Sequence, residues 1–177
     1  PLKWLVMLAP LGFVMFMNIR AEAMSLGALK GTFWAFCASM GLSMGLLFLI
    51  YTQGSIARAF FVTGAMFAAT SLWGYTTKRS LAGMGAFMMM GLFGLIIAGL
   101  VNMFLHSTML QWVSSVAGVL IFTGLAAFDV QRIKQSYSDA WGQEANDKMA
   151  VFGALSLYMN FINMFQSILQ LTGSRRD

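Results

Sequence analysis

The residues with the clearest capacity for chemistry lie in the last third of the chain. Asp129 follows directly on the apolar stretch VAGVLIFTGLAAF, whereas the other five acidic residues fall in loops or at the terminus. An ionisable side chain in or beside hydrocarbon is costly to hold, so its default reading is functional: ion or proton handling. Arg132 stands three residues on, and an ordinary ion pair at a helix end accounts for the same spacing. Further along, Ser156, Asn160, Asn163, Ser167 and Gln170 recur at intervals of four, three, four and three. That spacing sets all five on one helix face. Amides and hydroxyls left unpaired in lipid are expensive, so the stripe must face protein or water. Interhelical hydrogen bonding and a polar cavity or ion path both satisfy that demand.

Other chemistries are poorly served. Gly41-Leu42-Ser43-Met44-Gly45 fits the G-x-S-x-G nucleophile pattern. That pattern works on a strand-to-helix elbow with a histidine and an acid to activate the serine. Here it sits inside an apolar run, and the single histidine, His106, is two runs away. No zinc signature, phosphate-binding glycine loop or dinucleotide fingerprint is present. The lone Cys37 excludes an intrachain disulfide and a cysteine cluster for metal. The chain reads as a non-enzyme without a resident cofactor.

The elements that must position these residues are apolar throughout. Hydrophobic residues make up 59% of the 177 positions and charged residues 10%, against roughly a quarter charged in ordinary soluble domains. Six hydrophobic runs follow one another: Leu2 to Asn18 with Pro10 inside, Gly31 to Tyr51, Ser55 to Tyr75, Leu81 to Leu105, Met109 to Phe128 and Met149 to Leu171. Each is close to the roughly 20 residues that cross a bilayer, and none alternates with period two. The expected fold is all-α: a single polytopic transmembrane helix bundle over residues 1–177, with the lipid bilayer as its main partner. Gly41 with Gly45, and Gly94 with Ala98, offer small-residue spacings for close helix packing. The net charge of +5 does not point to nucleic acid, because the basic residues sit at helix ends rather than in a stripe.

Those basic residues set the expected orientation. Seven (Arg20, Lys30, Lys78, Arg79, Arg132, Lys134, Lys148) follow the first, third and fifth runs, and four (Lys3, Arg58, Arg175, Arg176) lie on the other side. The positive-inside rule places the seven in the cytoplasm. Arg175 and Arg176 oppose simple parity, so either the last run is re-entrant or the other loops prevail.

The segments GLAAFDVQRIK and GALSLYMNFINMF, with GYTTKRSLAGMG and GLIIAGLVNMFL around the fourth run, resemble the bacterial branch of the Bax inhibitor-1 (transmembrane Bax-inhibitor-motif) family. The resemblance covers essentially the whole chain and implies seven helices, the first of which would precede Pro1. It implies a multi-pass inner-membrane protein acting as a pH-sensitive calcium leak channel. It also implies an alternative, a non-transporting regulator that binds a membrane-bound ATP-dependent protease. In the channel picture two aspartates on the last two helices sense protons and control the pore, and an arginine latches one of them. Asp129 stands at the first aspartate position, Asn160 replaces the second, and Arg20 is the latch candidate, with Arg132 the alternative countercharge. Two carboxylates close together cannot both ionise cheaply, so one keeps its proton to higher pH. Asn160 preserves shape but loses that charge, which leaves at most weak calcium binding at Asp129 and Asn160.

Overall fold

The computed structural model describes residues 2–176, with side chains from residue 9 onward. Seven α-helices follow in order: α1 Leu2–Arg20, α2 Leu26–Met44, a short α3 Leu47–Ile50, α4 Gln53–Thr76, α5 Ala82–Leu105, α6 Thr108–Ser136 and α7 Gln143–Thr172. A 3-10 turn, Asp139–Trp141, precedes α7, and the described residues contain no strand. Among the described residues, four segments are long and apolar enough to cross a membrane: Leu26–Ile50, Gln53–Thr76, Ala82–Leu105 and Thr108–Ser136. Helix α7 is longer than any of them, but its polar face lowers its hydropathy.

Several boundaries differ from the runs, for local reasons. Of the charged stretch before Gly31, Arg20 ends α1 and Lys30 lies within α2, with Glu22 in the turn between them. Ser25, extended at φ −65° and ψ 156°, caps α2 by accepting from Ala28 N, as a good N-cap does. The polar stretch before Met149 likewise belongs mostly to helix ends, and Lys148 pairs with Glu144 one turn back at 3.2 Å. Helix α5 ends at His106, whose φ of 47° is left-handed and stops the helix before Ser107 caps α6.

Helix α7 is the centre of the bundle. It packs against α6, α4 and α2, while α5 rests on α6 and α1 on α2. One apolar cluster joins Ala59, Phe122, Leu125, Met164, Phe165 and Leu169. A second joins Met17, Leu29 and Phe36 to Val151 and Leu155. The outer surface is the reverse of a soluble protein's. Phe104 is 85% exposed, Phe61 74% and Trp34 70%, a continuous apolar exterior suited to lipid and intolerable in water.

Close helix packing does not use the expected glycine pairs. A Cβ added to Gly41 or Gly94 would meet nothing within 4 Å, and at Gly45 it would meet only its own helix. The close approaches lie elsewhere: Gly74 against the Ala127 backbone, Gly85 against the Phe128 ring, Gly118 against Ser167 and Gly153 against Ile133. Small-residue spacing permits approach without choosing which face has a neighbour, and Gly41 and Gly94 look outward.

The ends of the helices sort cleanly. Lys134 Nζ on α6 donates to Tyr75 O at the end of α4 (2.8 Å) and lies 4.4 Å from the Tyr75 ring centroid. At the opposite end the tail after α7 pairs with the α3–α4 connection, Thr52 N donating to Ser174 O at 3.1 Å. Helix α7 is continuous between these ends and runs the length of the bundle.

Candidate functional site

Asp129 is reached by α6 with its side chain turned inward, and it is only 5% exposed. Its Oδ2 accepts from the Ser156 hydroxyl and from Asn160 Nδ2 at 2.8 Å, both on α7. Its Oδ1 faces Arg132 Nη2 at 3.0 Å. Burying a carboxylate is tolerable only with such compensation. The guanidinium is half in solvent and stacks 5.7 Å from the Phe128 ring centroid. The two readings of Asp129, ion pair and buried inward-facing group, therefore coexist. Arg20 lies exposed at the end of α1 and is not among the partners of Asp129 in this structure.

Asp129 stands at one end of a cavity of about 550 Å³. All five stripe residues, Ser156, Asn160, Asn163, Ser167 and Gln170, line it. They descend α7 from the Asp129 end, so the cavity runs along the helix rather than across it. Asn163 Nδ2 donates to Met159 O at 2.8 Å. The side-chain amide oxygens of Asn160 and Asn163 and the Ser167 hydroxyl have no hydrogen-bond partner among the described residues. Such oxygens suit water or a hard cation. On the far wall Met89, Leu92, Leu95 and Ile96 of α5 contribute only apolar surface and thioether.

Helix α6 supplies the facing wall, and here sequence reasoning missed a pattern. Ser115, Gly118, Phe122, Leu125, Asp129 and Arg132 all line the cavity, at intervals of three, four, three, four and three. This seam runs antiparallel to the stripe on α7. Ser115 Oγ lies 2.8 Å from Gln170 Oε1, a Cβ on Gly118 would fall 2.5 Å from Ser167 Oγ, and Asp129 meets Ser156 and Asn160. The repeat of 3.5 residues is that of two helices wound together. It was readable from Asp129 backwards, but its mostly small and apolar members hid it.

A second missed residue fixes the helix that carries Asp129. Gln131 is 6% exposed. Its Oε1 accepts from Leu81 N (2.8 Å) and its Nε2 donates to Arg79 O (2.8 Å). Those two bonds satisfy loop backbone groups between α4 and α5 that would otherwise be orphaned. With Gln131 facing that loop, Asp129 is held on the face toward α7.

The other candidate chemistry is absent from the geometry. Ser43 lies within α2, its hydroxyl donating to Ser39 O at 3.0 Å, so there is no nucleophile elbow. No three of His, Cys, Asp and Glu come together among the described residues. Asp129 is the acidic side chain lining that cavity, with Arg132 beside it.

The chain matches the family described as "Inhibitor of apoptosis-promoting Bax1", Bax1-I, over residues 1–177. It is 43% identical over 173 residues to a protein of Rickettsia prowazekii, covering 98% of this chain and 73% of that one. It is 46% identical over 184 residues to a protein of Caulobacter vibrioides, covering 100% and 71% respectively. The inner membrane protein YbhL of Escherichia coli K12 is 38% identical over 173 residues, covering 97% of this chain and 74% of its own length.

Proposed function

The chain belongs to the Bax1-I family, and from that premise we propose that it is a multi-pass inner-membrane cation leak pathway whose conductance is set by Asp129. The observation that carries this reading is the buried carboxylate at the head of a cavity lined by neutral oxygens. A path that ran past neutral amides alone would have no charge to draw a cation from water. A path of several carboxylates would bind calcium and hold it. One carboxylate shared with a half-exposed arginine lies between these limits.

Arg132 is the gate on this reading. While it occupies Asp129 Oδ1, the site is neutral and gives an entering cation little attraction. Protonation of Asp129 has the same consequence by removing its charge, which is how pH enters. When Arg132 swings toward solvent, Oδ1 joins the oxygens of Asn160 and Asn163 as ligands for a passing ion, calcium among them. Asn160 donates to the carboxylate where a second aspartate would repel it, so the present pair has one carboxylate rather than two. The end bearing seven basic residues faces the cytoplasm, which puts Asp129 toward that side.

The rival is a regulator that transports nothing and engages a membrane-bound protease through its loops. Purified protein in liposomes, loaded with a calcium-sensitive dye, separates the two. Calcium entry above that of empty liposomes, varying with pH, is expected. Absence of calcium and monovalent cation flux at every pH, with the protein folded and inserted, refutes the leak.

A further inference from the structure

The cavity beside Asp129 is not the end of the polar surface. A second cavity of about 480 Å³ is lined by Asn102, His106, Gln111 and Arg175 and shares Ser114 and Gln170 with the first. A smaller one, about 290 Å³, adjoins it at Gln111, Gln170 and Arg175. The three adjoin one another through these shared residues, in order from Asp129 toward the opposite end of the bundle. At that far end the charge is reversed, since Arg175 is the charged residue lining it and His106 is its titratable neighbour.

Arg175 is held in place by the chain around it. Gly173 ends α7 against Tyr51, where a Cβ would fall 2.7 Å from the ring. The tail then runs extended along the α3–α4 connection. Ser174 N donates to Ser55 Oγ (2.9 Å), Thr52 N to Ser174 O (3.1 Å) and Arg176 N to Ile50 O (2.8 Å). Arg176 Nη1 donates to Phe48 O at 3.0 Å. Side chains of an extended segment alternate sides. With Arg176 turned to Phe48, Arg175 projects the other way, into the cavities.

We infer that this second cavity is the far mouth of the path, and that the tail-held Arg175 makes it a vestibule that repels cations and admits small anions. Its role in flux rests on the leak reading; its charge does not. A positive charge at the mouth of a cavity lowers the local cation concentration and slows cation entry. The pathway then has an attracting group at one end and a repelling group at the other, which keeps the leak slow.

Two measurements on the full chain with Cys37→Ala test this separately. In the first, Gln111→Cys is modified by methanethiosulfonates of opposite charge, with rates normalised to a free thiol. The anionic reagent should react about threefold faster or more. Arg175→Gln should abolish that preference, Arg175→Lys should keep it, and 1 M salt, with a screening length of about 3 Å, should suppress it. Equal rates, a preference unchanged by Arg175→Gln, or a thiol that neither reagent reaches overturns the vestibule. In the second, Arg175→Gln should raise cation flux into liposomes about threefold. Unchanged flux in a conducting protein overturns the barrier role. If neither protein conducts, the leak reading fails and the barrier role with it, while the thiol rates still decide the charge of the cavity.

Discussion

Helices α5 and α7 are built from opposite halves of the same physics. Helix α5 has a single buried residue, Gly85, and exposes Phe87, Phe93, Ile97 and Phe104. Helix α7 buries nine residues, among them Asn160, and carries a line of amides and hydroxyls. In water the more apolar helix would be the interior one. In lipid the order inverts: a uniformly apolar helix suits the outside, and polar groups must be enclosed. High hydropathy therefore marks α5 as a span at once, while the lower hydropathy of α7 marks the helix that has something to enclose.

The largest expected difference between the two helices is in packing. A Cβ on Gly153 of α7 would fall 2.8 Å from Ile133 side-chain carbons, whereas one on Gly94 of α5 meets nothing within 4 Å. Gly153→Leu should destabilise the protein by about 1–3 kcal/mol, the cost of overpacking, and Gly94→Leu by less than about 0.5 kcal/mol. Thermal unfolding in detergent checks both. Similar losses would mean that α5 also has a packed neighbour on that face.

Next in size is the charge that α7 can accept. Asn160→Asp would set a second carboxylate against Asp129 Oδ2, now 2.8 Å from Asn160 Nδ2. Coulomb repulsion of a few kcal/mol at an effective dielectric of about 20 should make the two share a proton. Calcium flux in this variant should acquire a steeper pH dependence than the parent shows. A destabilised variant with an unaltered flux profile would reduce the stripe to interhelical glue.

Arg132→Gln is expected to do less. Its guanidinium is half exposed but Asp129 is buried, so removing it leaves a carboxylate held only by Ser156 and Asn160 and should cost about 1–3 kcal/mol of stability. Calcium flux should rise at the same time, because Oδ1 is freed. A fall in flux would show that Arg132 orders the site rather than closing it.

The smallest effect should come from trimming the lipid-facing side. Phe104→Ala, at a position 85% exposed, should change unfolding temperature and flux within error. A marked loss would show that α5 has a protein partner there.

How much of this was legible in the sequence follows from the same contrast. The stripe on α7 was readable because Ser156, Asn160, Asn163, Ser167 and Gln170 are polar against an apolar background, and they do line one cavity. The matching seam on α6 was not, because Gly118, Phe122 and Leu125 look like any other membrane residues. The glycine pairs misled for the same reason, since spacing records the shape of a face and not its neighbour. Gln131, which pairs with loop backbone fifty residues away, leaves no local signal, and neither does the tail that places Arg175. The six runs were plain in the sequence, but their edges were not, because helices continue past the membrane wherever polar residues such as Glu144 and Lys148 can pair.

The most direct test of the central claim is the pH profile of calcium flux into liposomes, comparing the protein with Asp129→Asn. The substitution keeps the volume of the side chain and removes its charge and titration. Flux in the parent should change with pH, and in Asp129→Asn it should be flat. A pH profile that survives the substitution intact would contradict the claim and leave Asp129 as the partner of a helix-end ion pair.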